Sequence, residues 1–499
     1  MMVRKLIFFL AVSLLTASQA TAQTDPDATV KAFKAALLDF VNNKQGRVDQ
    51  TEHLSDDLYQ KFKKDPKVLV GIAEAYSTIK DTTYSYKFYN YAIALDPANM
   101  EPYVEAGKWE EADSTKQSYE RALAWYNRAI KANPKDSTGY VRAARLLAKR
   151  MGRMDDAIKK IQEISAFNPD YTVNLFVAKM YSDIGMTDKA VEYYAKEKIE
   201  KLDPSELTDY ANNCYFAGKD ENGINVVDFG LQKYPRYPQL NRTGMLLTIR
   251  KKDNKATAEF GERLLYQTDN LKVIWQDYYN LAQAYSSLHK SAKAIEMYNS
   301  VIDFPEDSLS ASEKSKLKDA VDMCYQHIGK LYVDDGEYDK AVSTYERYCE
   351  MRKSQGRLSA YELDLVAKVY MFQSEEMNGE DKLDCYRKAN EVYERIEQEF
   401  PQNAGYALDN ILDNCYRLDP EHHTVIAKPY AERLYAMEMG KGTEMSSLDK
   451  ERLSKAARRL AYYYFVEAND KKTSLPYWRK VYEINPNDQG ARQVLNIKK

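Results

Sequence analysis

The sequence has few of the residues from which metal and nucleophilic sites are usually built. Only five histidines and five cysteines occur among its 499 residues, and no two cysteines have the C-x-x-C spacing of a zinc ribbon or a thioredoxin-like centre. The chain also has no H-E-x-x-H, no G-x-S-x-G, no Gly-Lys-Ser/Thr phosphate loop and no G-x-G-x-x-G fingerprint. Because these common catalytic motifs are missing, we predict a protein without enzymatic activity, cofactor or metal.

An excess of one charge and long apolar runs are also lacking. The 72 basic and 75 acidic residues leave a net charge of −3, which gives no reason to expect nucleic acid or an anionic membrane surface as a partner. The apolar run at residues 6–15 is too short to span a bilayer, and no later run reaches the necessary length. We therefore predict no membrane span in the mature chain.

The first 22 residues have the order of a cleaved secretion signal. Arg4 and Lys5 precede the apolar run, and residues 20–22 (Ala-Thr-Ala) form a small-x-small cleavage site. We expect residues 1–22 to be removed and the mature chain to begin at Gln23 in the bacterial periplasm, with outer-membrane association left open. The alternative is an uncleaved N-terminal anchor. No cysteine follows the cleavage site, so the pattern of a lipoprotein is not present.

The cysteine count is odd, so at least one thiol of an exported chain stays unpaired. Buried free thiols are the favoured interpretation for the set. A bridge between Cys324 and Cys349 is the alternative, because both would lie at the same end of an antiparallel helix pair. The cysteines are Cys214, Cys324, Cys349, Cys385 and Cys415.

Tyrosine, by contrast, is abundant, with 41 residues. The stretch 325–348 shows the pattern most clearly and reads as two amphipathic helices joined at Gly336. In the first helix, Gly329 leaves a gap between large residues, which lets a neighbouring helix come close. The large and small residues that share the two faces are Tyr325, Ile328 and Tyr332 in the first helix, and Ala341, Tyr345 and Tyr348 in the second.

The same spacing recurs along the chain and resembles the tetratricopeptide repeat, whose period is about 34 residues. The resemblance implies an all-α fold, an α-solenoid of about ten to eleven antiparallel helix pairs wound as a right-handed superhelix. Ser85 departs from the pattern, since the family has alanine there. Positions that match the family in three units are Ala73, Tyr76, Tyr89, Ala92 and Pro97; Ala178, Tyr181, Gly185, Ala190 and Tyr194; and Tyr278, Ala282, Tyr285, Ala294 and Tyr298.

The spacing also predicts how the chain is divided. A polar, turn-rich segment interrupts the repeats after Phe304 and is expected to separate two lobes. Solenoids need capping helices because a terminal repeat lacks a neighbour on one side. The predicted parts are a signal peptide (1–22), N-terminal capping helices (23–65), a first lobe (66–304), a linker or insertion (305–318), a less regular second lobe (319–486) and a C-terminal capping helix (487–499).

Three features of the sequence could indicate a binding site, but a structural role explains each of them better. The acidic segment 334–339 has the charge of a calcium loop, but it falls where the inter-helix turn belongs and lacks the length of an EF-hand. His422 and His423 are adjacent in a loop, where neighbouring side chains rarely converge on a metal. The tyrosines at repeat-core positions, Tyr76, Tyr181, Tyr285 and Tyr332, are predicted to pack in the core.

The resemblance also implies where a ligand would bind, because the family usually binds ligands on the concave face, lined by the first helix of each pair. The basic and asparagine pattern with which some members clamp a C-terminal carboxylate is not present. Transferring the groove positions to this chain gives Asp209, Asn213, Tyr279, Gln283, Gln326 and Lys330.

The predicted function is a non-enzymatic scaffold of the bacterial cell envelope that binds a protein or extended peptide in its concave groove. The alternative is a glycan- or nutrient-binding protein associated with an outer-membrane system, which the tyrosine excess favours because an aromatic ring with a polar tip suits sugar binding. The absence of a lipoprotein cysteine counts against that alternative.

Overall fold

The computed structural model describes residues 26–42, 55–56 and 59–497. The predicted signal peptide, residues 1–22, lies outside the described residues, as does part of the predicted capping segment 23–65. The chain divides into two compact units, Met1–Tyr234 and Pro235–Lys499. Helices of the first unit are α1 (Pro26–Asn42), α2 (Pro66–Thr78), α3 (Thr82–Leu95), α4 (Glu101–Ala112), α5 (Lys116–Ala132), α6 (Ser137–Lys149), α7 (Met154–Gln162), α8 (Val173–Asp183), α9 (Thr187–Tyr194), α10 (Pro204–Phe216) and α11 (Asp220–Lys233).

The second unit continues the alternation and ends with longer helices. Its helices are α12 (Pro238–Arg250), α13 (Asn254–Gln267), α14 (Trp275–Ser287), α15 (Ser291–Ile302), α16 (Ala311–Asp334), α17 (Tyr338–Ser354), α18 (Ala360–Glu376), α19 (Gly379–Glu399), α20 (Ala404–Leu418), α21 (His423–Gly440), α22 (Ser447–Tyr462), α23 (Lys471–Ile484) and α24 (Gln489–Val494).

Consecutive helices pack as pairs, from α2 with α3 to α22 with α23, which makes eleven pairs. No strand occurs in the described ranges. Within each unit, the second helix of one pair also packs on the first helix of the next. The predicted all-α solenoid of about ten to eleven helix pairs is therefore confirmed.

Local chemistry explains where many of these helices begin. The Asp65 carboxylate accepts hydrogen bonds from the first free amides of α2, while Pro66 occupies a position where no N–H is needed. Asp203 caps α10 in the same way and forms a capping box with Glu206. Ser359 likewise forms a capping box with Glu362 at the start of α18.

The helix pairs turn at residues with a left-handed backbone. Gly336 has φ +74°, and the Glu337 amide donates to the Tyr332 carbonyl at 2.8 Å, which closes α16. His289 makes the same turn with φ +55°, although it carries a side chain. The acidic segment 334–339 is thus the inter-helix turn that the repeat spacing predicted.

The core of each pair depends on a large ring that meets a small residue. A Cβ added to Gly329 would lie 2.3 Å from the Tyr345 ring, so only glycine admits this contact between α16 and α17. Gly107 meets Tyr126 at the same distance in the first unit. The predicted gap at Gly329 is therefore the place where the second helix inserts its tyrosine.

Most tyrosines predicted in the core are found there. Tyr76, Tyr181 and Tyr285 are buried, whereas Tyr332 is half-buried. Ser85 is also buried, and its hydroxyl lies 2.7 Å from the Ser77 hydroxyl. Because two hydroxyls satisfy each other, a serine fits where the repeat usually has alanine.

The predicted linker 305–318 differs from the structure in two ways. Ser310 caps α16, which begins at Ala311 and runs without a break to Asp334, so the second half of the segment is helical. The compact units divide at Tyr234 and Pro235 rather than in this segment. Its polar residues reflect an exposed helix start with a capping box, which composition alone does not distinguish from a linker.

The described ends of the chain cover the terminal repeats. Phe33 and Leu37 of α1 are buried in the same core as Tyr76, with the rings of Phe33 and Tyr76 5.8 Å apart. At the other end, Ala491 of α24 packs with Trp478. Both helices cover apolar surface that would otherwise face water.

All five cysteines are buried and free, so the alternative of a Cys324–Cys349 bridge is wrong for this structure. Cys324 lies in α16 and Cys349 lies in α17. Each thiol is buried in a different cluster of the hydrophobic core. Burial raises the pKa of the Cys324 and Cys349 thiols to about 12. Such thiols are protonated and inaccessible at neutral pH.

We predict that Gly329→Ala destabilises the second unit, because the added methyl group collides with the Tyr345 ring. The expected loss is about 1–3 kcal/mol in the free energy of unfolding, measured by urea denaturation. Gly440→Ala is the matched control: Gly440 ends α21, and nothing lies within 4 Å of a Cβ added there. An equal effect of the two substitutions would contradict the packing described for Gly329.

We further predict that the folded chain resists thiol reagents. Titration with an aromatic disulfide in denaturant, without reductant, should count all five thiols, whereas the native protein should react far more slowly. Fewer than five thiols in the denatured sample would mean that a disulfide forms.

Candidate functional site

Four of the predicted groove residues lie on the first helices of adjacent pairs in the second unit. Tyr279 and Gln283 belong to α14, while Gln326 and Lys330 belong to α16. Gln283 and Lys330 are exposed, and the other two are half-buried. Together with α18, these helices form the surface that we call the groove face.

The larger cavity of the groove face lies between α16 and α18 and has a volume of about 620 Å³. Its walls include three large apolar side chains that remain about half exposed: Met323 (47%), Tyr361 (51%) and Phe372 (49%). Gln326 and Lys330 line the same cavity. Both sequence-predicted residues of α16 are thus brought together with an apolar surface that the sequence had not indicated.

A second cavity of about 430 Å³ adjoins α14 and has a different lining. Amides and hydroxyls dominate its wall, among them Asn254, Asn280 and Gln283. His327 lines both cavities and stands between them. The groove face is therefore polar on the α14 side of His327 and apolar on the α18 side.

Aromatic stacking fixes the position of His327. Its ring stacks on Tyr298 with centroids 5.2 Å apart, and the Tyr279 ring lies 6.5 Å away. Burial lowers the pKa of His327, which favours the neutral imidazole at pH 7. Its Nε2 has no hydrogen-bond partner among the described residues.

Hydrogen bonds also connect the cavity walls. The Tyr361 hydroxyl donates to Gln326 Oε1 at 3.3 Å, which joins α18 to α16 across the cavity. Lys330 Nζ lies 2.6 Å from the Asp334 carboxylate, and Lys368 Nζ lies 2.6 Å from that of Asp364. Each lysine is paired with an aspartate one helical turn away, so both ammonium groups are held near the cavity mouth.

An ion-pair network behind the groove face sets the spacing of α16, α17 and α18. Arg352 lies 2.9 Å from Asp322 and 3.1 Å from Glu362, which are nearly buried residues of α16 and α18. Arg357 adds a second cation at 3.1 Å from Asp322. Because Arg352 contacts carboxylates on both flanking helices, the cavity is built before any ligand binds.

The remaining two predicted residues lie in the first unit, on α10. Asp209 is exposed, but Asn213 is buried, and its amide donates to Ser182 Oγ at 3.0 Å and to the Asp209 carbonyl at 2.8 Å. Asn213 joins two helices and offers no side chain to a ligand. This corrects its prediction as a groove residue.

The physical reason is a register error of one residue. Ala211 lies seven residues before the turn residue Gly218, just as Gly329 lies seven before Gly336. Asn212, not Asn213, therefore corresponds to Lys330. On a helix a shift of one residue turns a side chain by about 100°, which moves it from the exposed face into the core.

Sequence reasoning missed the contribution of α18 to the groove face. Tyr361, Leu365, Lys368 and Phe372 line the larger cavity, although none was singled out. One residue of α18 could have been predicted from the sequence. Lys368 follows the small residue Ala367, just as the predicted groove residue Lys330 follows the small residue Gly329. The apolar residues have no such marker, because a leucine or phenylalanine within a helix reads as core.

In the part of the chain that the structure describes, no group of three or more histidine, cysteine, aspartate or glutamate side chains is placed to hold a metal ion. His422 contacts Glu467 at 3.3 Å, whereas His423 contacts Arg459 at 2.7 Å, so the adjacent histidines point to different partners. Among the described helices, none has both the length and the apolar composition needed to cross a membrane.

Stacked antiparallel helix pairs, with small residues receiving the rings of the next helix, define the class of α-helical repeat proteins. Residues 278–307 and 324–355 match the model of the tetratricopeptide repeat family. The chain therefore carries tetratricopeptide repeats in these two segments, and both contribute to the groove face. Proteins of this family generally mediate protein–protein interactions and are generally not catalytic.

Similar proteins carry the same repeats. The TPR repeat-containing protein YpiA of Bacillus subtilis (strain 168) is 26% identical over 190 residues, which cover 37% of this chain and 43% of that protein. The C-terminal part of a TPR protein from Cytophaga hutchinsonii is 16% identical, with a TM-score of 0.35 over 58% of this chain and 100% of that one. A tetratricopeptide repeat protein from Parabacteroides merdae is 13% identical, with a TM-score of 0.30 over 52% and 98%.

We predict that Arg352→Leu destabilises the second unit by roughly 1–3 kcal/mol, because it leaves the buried Glu362 carboxylate without its cation and Asp322 with Arg357 alone. Arg395→Leu is the matched control, since Arg395 pairs with Glu399 on an exposed surface and should cost below about 1 kcal/mol. Urea denaturation of both variants measures the difference. Equal losses would show that the Arg352 network does not support the groove.

Proposed function

We propose that the chain is a non-enzymatic scaffold of the bacterial cell envelope which binds a protein or an extended peptide through the groove face. The observation that carries this proposal is the gathering of Met323, Tyr361 and Phe372 around one cavity while half of each side chain is exposed. Contiguous exposed apolar surface of this kind often marks an interaction site in a soluble protein.

The geometry of the walls supports a peptide rather than a compact small molecule. The groove face runs over three first helices and contains two adjoining cavities, so a ligand that fills both must be extended. Tyrosine and methionine at the surface suit protein contacts, because they bury a large area at a low cost in side-chain ordering. The Arg352 network reduces that cost further, since it holds the helices in place beforehand.

The cell-envelope location rests on the N-terminal sequence. A short basic region, an apolar run and a small-x-small site precede the repeats, in the order of a secretion signal. Asp209 has the same register error of one residue as Asn213, because Thr208, which is buried, is the residue that corresponds to Gln326; we therefore propose no second contact region in the first unit.

Glycan binding is the second candidate, and the smaller cavity favours it. Asn254, Asn280 and Gln283 supply amides beside an aromatic ring, Tyr298, which is a combination that suits sugar hydroxyls and their apolar faces. Intrinsic fluorescence titrated with several oligosaccharides tests this candidate, since Trp275 and Tyr279 lie within 6.3 Å of each other on α14.

We predict that a photo-reactive phenylalanine analogue at position 361 cross-links a protein partner in the native envelope. The matched control carries the analogue at Glu391, an exposed residue of α19 away from both cavities. A discrete protein adduct from position 361 and none from position 391 is the expected result, read by mass spectrometry. Adducts at both positions, or polysaccharide alone at 361, would contradict the proposal.

A further inference from the structure

The lining of the two cavities has more basic than acidic residues, although the protein as a whole is acidic. The residues that line the two cavities include three lysines, Lys252, Lys330 and Lys368, and a single carboxylate, Asp334. The whole chain, by contrast, has a net charge of −3. Local charge of the opposite sign to the rest of the molecule steers a negatively charged partner to this surface.

Two of these lysines remain available to a ligand although each already has a partner. The side chains of Lys330 and Lys368 are 69% and 50% exposed. An ammonium group has three donors. Lys330 bonds both oxygens of the Asp334 carboxylate, so at least one of its donors is left for a second carboxylate, and Lys368 likewise keeps a donor beside Asp364. Asp364, the partner of Lys368, is buried and also accepts a hydrogen bond from the Tyr406 hydroxyl, so it presents little charge to the groove.

The apolar part of the same cavity gives the second element of specificity. Leu365 and Phe372 on α18 face Met323 on α16 across a volume that accommodates a large side chain. Both lysines line this same cavity, so the apolar wall and the positive charges meet one segment of a ligand. A partner segment that satisfies both must combine an apolar side chain with neighbouring carboxylates.

From this juxtaposition we infer that the partner presents an extended acidic segment with one large apolar side chain, and this inference rests on the proposed peptide-binding function. The apolar side chain fills the cavity between α16 and α18. Neighbouring carboxylates pair with Lys330 and Lys368. The backbone beyond His327 meets the amides of Asn280 and Gln283 in the smaller cavity.

Three short fluorescein-labelled peptides test this specificity by fluorescence anisotropy with the full mature chain. One has a central phenylalanine flanked by glutamates, the second has lysines in place of the glutamates, and the third has alanine in place of phenylalanine. The first should bind about tenfold or more tightly than either of the others. Its affinity should fall when salt rises from about 0.05 to 0.3 M, because the paired charges are screened.

Substitutions of single lysines locate the binding. Lys368→Glu should weaken binding of the acidic peptide by roughly tenfold, since it replaces attraction with repulsion. Lys388→Glu is the matched control: Lys388 pairs with Asp384 at the same i,i+4 spacing on α19, has nearly the same exposure, and lines neither cavity. Circular dichroism and thermal melts of both variants verify that each remains folded.

The outcomes separate the inference from the function on which it rests. Equal binding of the lysine-flanked peptide, or equal effects of Lys368→Glu and Lys388→Glu, overturns the inference. A basic or wholly polar segment captured by the cross-linker at position 361 also overturns it, while the peptide-binding function stands. No binding by any peptide, together with no protein adduct at position 361, overturns both.

Discussion

The contact between an aromatic ring and a glycine or alanine one helix away is the constraint on which the rest of this structure depends. Tyr345 fills the space that Gly329 leaves, and Tyr298 is buried with Ala282 in the preceding pair. Because the ring enters only where no larger side chain stands, this contact fixes both the separation and the rotation of the two helices. The same contacts also determine the geometry of the groove face. Gln326 and Lys330 lie on either side of Gly329 on α16, so the packing at Gly329 sets their positions.

Much of the fold was predictable because it rests on local rules. Capping residues such as Asp203 and Ser359, the turn at Gly336 and the ring-to-gap spacing all act within one helix pair, so they appear directly in the sequence. The division at Tyr234 and Pro235 was not predictable in this way. It depends on how densely neighbouring pairs pack, which no local motif encodes. The helix start at Ser310 similarly resembled a linker because capping and linker residues are the same polar types.

The candidate site was predictable only in part, and Asn213 and Phe372 show why. Asn213 was misplaced by a shift of one residue, because in α10 Cys214 stands where α16 has Tyr332, and the aromatic that would fix the register is missing. Phe372 was missed because an exposed apolar residue has the same sequence signature as a core residue. Exposure of such residues depends on which neighbours fail to cover them, and that is a tertiary property.

Unfolding of this protein exposes five buried thiols to oxidation. In the native chain each sulfur is enclosed by its own repeat, so an oxidising environment leaves the thiols unchanged. When helix pairs separate, the same sulfurs reach solvent, where thiolates form and cross-link with one another. Opening of a repeat then becomes a one-way chemical event. In an oxidising environment, the lifetime of the protein is accordingly governed by how often its helix pairs open, rather than by the equilibrium between folded and unfolded chains.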